Sequence, residues 1–258
     1  MNTATAEKQN KIMYISQAEN FSKIPGSPIA YWLSLKTFDL FMQKKLFDYG
    51  TTRLGMTTGE NARFVRLWFE VDNTKESFDS TSQEDLNLKG GRYWVPYNKG
   101  GEFRKWYGNN DCVVYWKNEG HAIKTFSDVK TGRIRSTVPN TEYYFLPCAS
   151  WSKISSSRIA FRYKEHSIFD VAGACLFAVE DRLIYLMALL NTNVIMQMLS
   201  AMSPTLNFEG GQISSVPVII DNNKKGQVCN IADKNIELSK NDWDSFETSW
   251  DFKKHPLV

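Results

Sequence analysis

The chain has 258 residues, 42% hydrophobic and 14% aromatic, with 31 Lys and Arg against 28 Asp and Glu. That composition excludes a disordered chain and suffices for one large core, or a core with a satellite. A net charge of +3 is too small to argue for a polyanionic partner, so the argument rests on where the charges sit.

The charges are segregated. Lys89 to Lys105 holds five basic residues and one acid, and Lys153 to Lys164 four basic residues and none. The segment Asp233 to Asp251 reverses the balance, with six acids against Lys234 and Lys240. Cys112, Cys148, Cys175 and Cys229 form no CxxC pair, and His121, His166 and His255 are too few to complete a zinc site. The expectation is reduced structural thiols and no metal. The N-terminus lacks the apolar core of a signal peptide, and the longest apolar run, Leu183 to Leu190, is too short for a bilayer. A cytoplasmic protein without a membrane partner is the expected setting.

Residues 1–20 are polar and predict a flexible segment. Ile24-Pro25-Gly26-Ser27-Pro28 is a rigid turn from which a helix can start, with Ser27 as cap and Pro28 in the first position. Apolar spacing is then roughly helical from Tyr31 to Phe47. The cluster Gly55 to Phe64, GMTTGENARF, suits an anion-binding loop as readily as a plain turn, and it matches no nucleotide-binding motif. Arg63 to Val71 alternates as a strand with Phe64 and Trp68 inward, and Asn73 to Leu88 reads as a polar surface excursion.

Gly90 to Asn110, GGRYWVPYNKGGEFRKWYGNN, is the most distinctive stretch. It sets six aromatic residues among Arg92, Lys99, Arg104 and Lys105, with only Glu102 opposing them. Aromatics interleaved with cations can grip a phosphate backbone and stack on bases. They can equally be core residues with a solvated basic rim, since Trp and Tyr are core residues first.

Val113 to Trp116 predicts a buried strand, followed by a polar loop with Lys130, Arg133 and Arg135. Glu142 to Leu146 predicts another strand. Ala149 to Tyr163 reads as strand, serine-rich turn, strand, with Lys153, Arg158 and Arg162 available to phosphates or bases. Asp181 to Met202 is apolar nearly all round, a buried helix or a pair broken at Asn191. Leu206 to Ile220 predicts two short strands about a glycine turn, and Ile231 to Phe252 has helical spacing. The fold class is therefore α+β, a mostly antiparallel twisted sheet packed on an apolar helix or helix pair.

No catalytic constellation emerges. There is no GxSxG, no HExxH and no singled-out carboxylate pair. Adenine methylation needs a glycine-rich loop for the methyl donor and an Asn/Asp-Pro-Pro-aromatic turn for the base. Val95-Pro96-Tyr97-Asn98 has a single proline with no acid or amide before it, and Phe169 to Gly173 has a single glycine.

Several stretches together resemble a known family. FSKIPGSPIAYW (21–32), GMTTGENARFVRLW (55–68), WVPYNKGGEFRKWYGN (94–109), SWSKISSS (150–157), FDVAG (169–173), PTLNF (204–208) and DWDSFETSWDF (242–252) resemble PglX, the adenine-specific DNA methyltransferase family of BREX phage-defence systems. The Thr-Gly-Glu-Asn loop and the helix before PTLNF are also similar to specificity regions of type IIG restriction-modification enzymes. In the PglX family these segments lie downstream of the methyltransferase domain. The resemblance therefore implies a DNA target-recognition domain over 21–222. Residues 223–258 would be a linker and a C-terminal helix opening a further helical region.

It implies double-stranded DNA as partner and S-adenosylmethionine as cofactor of the intact enzyme, with no cofactor and no catalytic residue in this chain. The candidate DNA-binding residues are Arg53, Thr57, Thr58, Asn61, Arg63, Arg66, Lys99, Arg104, Lys105, Lys153, Arg158 and Arg162. The alternative is a protein-interaction module that docks a separate methyltransferase or another defence subunit.

Overall fold

The computed structural model describes residues 15–154, 158–203, 207–255 and Leu257. Residues 1–14 of the expected flexible segment, serines 155–157 of the turn and 204–206 of the PTLNF stretch lie outside the described residues.

The fold is α+β. Its strands are β1 (Thr51–Arg53), β2 (Val65–Leu67), β3 (Trp94–Asn98), β4 (Cys112–Tyr115), β5 (Cys148–Trp151), β6 (Phe161–Lys164), β7 (Ile168–Phe169) and β8 (Cys175–Phe177). Its helices are α1 (Ala18–Phe21), α2 (Leu35–Leu40), α3 (Asn61–Phe64), α4 (Gln83–Leu88), α5 (Lys117–Lys124), α6 (Glu180–Leu190), α7 (Asn193–Met202), α8 (Gly210–Ser214) and α9 (Lys225–Trp243). The strands form two four-stranded sheets where one was expected. The first, in the order β1-β8-β5-β6, is antiparallel throughout. The second, β2-β4-β3-β7, is antiparallel except for the β3–β7 pair.

The two-residue period of a strand explains how the first sheet is used. Ala149 and Trp151 on β5, Phe161 on β6 and Leu176 on β8 lie in one apolar core with α6 and α7. Their alternates, Cys148, Ser150, Arg162, Lys164 and Cys175, point the other way, towards the second sheet. There Asn98 Nδ2 donates to Ser150 Oγ at 2.6 Å, and Cys148 and Cys175 join a second core with Val95, Val114 and Phe169. The sheet is thus apolar on its helix side and partly polar on its sheet side.

The apolar run breaks where expected. Asn191 separates α6 from α7, which are bent by 71°. Its side chain behaves as an extra peptide group: Oδ1 accepts from Phe161 N–H at 3.1 Å and Nδ2 donates to Phe161 C=O at 3.0 Å. Leu183, Leu186, Met187, Leu190, Ile195, Met198 and Leu199 of the pair are buried in the first core. Among the described residues no single helix is long and apolar enough to cross a membrane.

Several local expectations are corrected. Ser27 has φ 47 after Gly26 at φ 80, so the turn runs on and the helix begins only at Ser34, whose hydroxyl accepts from Thr37 N–H. The stretch 63–71 is divided into the end of α3, strand β2 and a 3-10 turn. The Glu70 carboxylate closes that turn by accepting from Leu67 N–H at 2.8 Å. Phe64 is buried as expected, whereas Trp68 is half-buried and donates to Thr248 C=O.

Thr141–Tyr143 is a 3-10 turn and not a strand. Left-handed Asn140 and Phe145 bracket it, which lets the consecutive Tyr144 and Phe145 both be buried. The double glycine at 210–211 opens α8 instead of joining two strands.

Candidate nucleic-acid interface

Three of the family-like motifs, far apart in sequence, converge on one backbone junction. Met56 N–H donates to Phe169 C=O and Asp170 N–H to Asn98 C=O, so segment 169–171 is held between the Gly55 loop and the end of β3. The approach is close enough to require glycine: a Cβ on Gly55 would lie 1.8 Å from Phe169 O, and one on Gly173 2.3 Å from Asn98 O. Asp170 Oδ2 accepts from Tyr97 Oη at 2.8 Å and Oδ1 from Ala172 N–H at 2.8 Å. These motif residues are scaffold. What they aim is the loop that leaves the junction at Thr57.

Thr57 exchanges backbone hydrogen bonds with Thr137 and so joins the loop to the 126–137 excursion. Gly59 lies against the Arg135 backbone, with φ +78. Thr58 is buried, and its hydroxyl donates to Asn61 Oδ1 at 2.8 Å, fixing the start of α3 from inside. Asn61 and Arg63 are exposed.

Arg63 lies over the rings of Phe64 and Phe126, each at 5.2 Å, and exposed Arg135 lies over Phe126 at 5.4 Å. Two guanidinium groups thus rest on one ring. Arg53 is held similarly: it stacks on Tyr143 at 4.9 Å and donates to Tyr143 Oη at 3.1 Å. Arg66 is tied back to the carbonyls of Ala62 and Val65.

None of these four arginines is in an ion pair among the described residues. Nearby Asp128 is committed to its own turn. It accepts from Lys130 N–H, Thr131 N–H and Thr131 Oγ1, and these bonds, the backbone one from Thr131 foremost, hold its carboxyl below the usual range.

The remaining candidates divide. Lys99 follows Asn98 on the far side of segment 169–172 from Thr57. With Lys153 it lines a mostly apolar cleft of about 340 Å³, where Lys153 pairs with Glu209 at 3.0 Å. Arg158 is exposed at a separate cleft beside Asn193 and Phe208.

Arg104, Lys105 and Arg162 are placed differently. Trp106 pairs with the outer edge of β6, with Trp106 N–H donating to Phe161 C=O and Tyr163 N–H to Trp106 C=O. The aromatic-basic stretch therefore covers a sheet edge. Arg104 bonds Asp242 at 3.0 Å and lies over Trp243 of α9, Lys105 donates to Asn191 C=O at 2.9 Å, and Tyr107 lies under Lys240.

Arg162 is 1% exposed, bonded to Ser152 Oγ and Arg104 C=O. Its neighbour Lys164 is fully withdrawn, donating to Gly108 C=O, Asn109 C=O and Asn110 Oδ1. Burial, with nearby Arg162 adding to it, lowers the Lys164 amine to about 7. The geometry therefore gives Arg104, Lys105 and Arg162 framework positions. Sequence reasoning passed over Phe126, the ring under exposed Arg63 and Arg135, and Tyr143, the ring under half-buried Arg53. Phe126 stands 63 positions from Arg63 and Tyr143 90 from Arg53, beyond any local pattern.

The comparisons with known proteins come from this whole length. The chain is 41% identical over 260 aligned residues to the adenine-specific methyltransferase PglX of Lacticaseibacillus casei strain Zhang, covering 99% of the chain and 21% of that protein. It is 35% identical over 245 residues to the adenine-specific methyltransferase BrxX of Escherichia coli O9:H4 strain HS, covering 93% of the chain and 18% of that protein. The resemblance therefore holds: the chain is similar nearly end to end to a segment of PglX-type methyltransferases. It spans about a fifth of the length of these curated relatives. No protein-family model matches it.

An enclosed cavity between Tyr97, Lys164 and Trp250 is about 100 Å³, room for a few waters.

Proposed function

We propose that this chain is the DNA target-recognition portion of a PglX-type, site-specific adenine methyltransferase acting in phage defence in the cytoplasm. The methyl donor's site, for S-adenosylmethionine, belongs in this reading to the four-fifths of such polypeptides that the chain does not span. The recognition domain would occupy 21–222, with 223–258 leading into a helical region.

The observation that carries the reading is the arrangement of Arg63 and Arg135 on Phe126. Both guanidinium groups are exposed, in no ion pair among the described residues, and held by one ring. Stacking restricts an arginine while leaving its N–H edge free for phosphate oxygens or a guanine edge. Arg53, Thr57, Asn61 and Arg66 lie on or beside the same loop, whereas Lys99, Lys153 and Arg158 line other clefts and would contact DNA separately. Thr58 acts from inside the loop.

The test is binding of the purified chain to random duplex DNA across a salt series, followed by selection of tight binders. Four neutralised phosphates predict a slope of log affinity on log salt of about −3.6. The selected pool should be enriched in one sequence. Salt-independent binding, or none by a folded chain at low salt, would overturn the reading.

A further inference from the structure

The segment from Ile29 to Phe47 is apolar on both sides. Inward, Ala30, Leu33, Phe38, Phe41 and Leu46 are buried in the first core. Outward, Ile29, Tyr31, Trp32, Leu35, Met42 and Phe47 are between 46% and 72% exposed. An element of a free-standing surface keeps polar residues on its outer side; one apolar all round is normally covered on both. Tyr31 and Trp32 sit edge to face at 5.2 Å, and the polar members of the segment, such as Lys36, Asp39 and Lys44, are interspersed. Aromatic residues and methionine with polar neighbours are the composition of an interface core and rim.

We propose that the outward side of 29–47 is the docking face for the remaining, methyltransferase-bearing part of a PglX-type polypeptide. Those relatives carry about four-fifths of their length outside the matched segment, so in them a body several times larger is joined to that segment. An intramolecular body of that size is expected to meet it over a partly apolar interface. The inference rests on the similarity to PglX and not on the DNA-contact reading. Loss of DNA binding would leave it standing.

The test replaces the matched segment of L. casei PglX with this chain and measures hydroxyl-radical oxidation of Tyr31, Trp32 and Met42 in the chimera and in the isolated chain. Docking predicts oxidation at least fivefold slower in the chimera, with exposed Phe103 unchanged as an internal control. Leu35→Lys with Met42→Lys should return the rates of Tyr31 and Trp32 to those of the isolated chain, whose melting temperature it should leave unmoved. Equal rates in chimera and isolated chain would overturn the proposal. So would protection in the isolated chain that grows with its concentration, which would name a second copy as occupant.

A further measurement needs no chimera. The isolated chain should bind an apolar fluorescent dye and the double variant should lose most of that binding; an unchanged dye signal would equally overturn the proposal.

Discussion

Two groups of cations on this molecule are built from the same residue types and placed to opposite ends. Arg104, Lys105, Arg162 and Lys164 contact groups of the fold itself: a carboxylate and an indole from α9, the Asn191 carbonyl, a serine hydroxyl and three oxygens of the 108–110 turn. Arg53, Arg63 and Arg135 rest on aromatic rings, and among the described residues none is in an ion pair. What separates them is their neighbours. The first group faces carbonyls and an acidic helix that consume hydrogen-bond capacity, whereas Arg63 and Arg135 face a phenylalanine ring that consumes none.

The difference can be broken at its anchors. Trp243→Ala removes the buried ring beneath Arg104 and should cost about 3–5 kcal/mol in chemical unfolding, while DNA affinity of the folded fraction stays within twofold. Gly55→Ala drives a Cβ into the Phe169 carbonyl. It should cost about 3 kcal/mol and, unlike Trp243→Ala, also weaken DNA binding, because the loop carrying Thr57 to Arg63 is displaced.

A subtler test is pH. Lys164 titrates near 7 in the folded chain and near its ordinary 10.5 when unfolded. Between these values the unfolded state binds more protons, so stability rises with pH from about 7 upward. The buried thiols, raised above 9.0 by a neighbouring thiol and burial at Cys148 and by burial at Cys112, oppose this rise above about pH 9. Urea midpoints should therefore climb from pH 7 to 8.5, and Lys164→Met should flatten the climb whatever its absolute stability. The smallest effect belongs to Lys153→Gln, whose exposed pair with Glu209 should be worth below about 1 kcal/mol.

How much of this was legible in sequence depended on the range of the interaction. The α6–α7 break at Asn191 and the β5–β6 pairing were visible because apolar runs and strand alternation are local. Helix onset at Ser34 was missed because Ser27-Pro28 carries the same local signal and only the left-handed backbone at Gly26 and Ser27 cancels it. The second sheet was invisible, since β7 joins β3 through a parallel pairing of Tyr97 with Ile168 that no local period encodes.

In the site, the cluster Gly55 to Phe64 stood out by composition, as an anion-binding loop or a plain turn, and the ring supports Phe126 and Tyr143 did not. The aromatic-basic stretch was the opposite case. Its composition fitted two roles, and the packing on the edge of β6 and on α9 supports the framework one.

The most direct measurement crosses the two groups in one experiment: DNA affinity at low salt and unfolding free energy for Arg63→Ala/Arg135→Ala and for Arg104→Ala/Lys105→Ala. The account predicts that the first pair weakens binding at least tenfold, lowers the salt slope by about 2 and leaves stability within about 1 kcal/mol. The second should lower stability by about 1–2 kcal/mol and leave affinity within twofold. The reverse pattern, with binding lost at Arg104 and Lys105 and kept without Arg63 and Arg135, would contradict it.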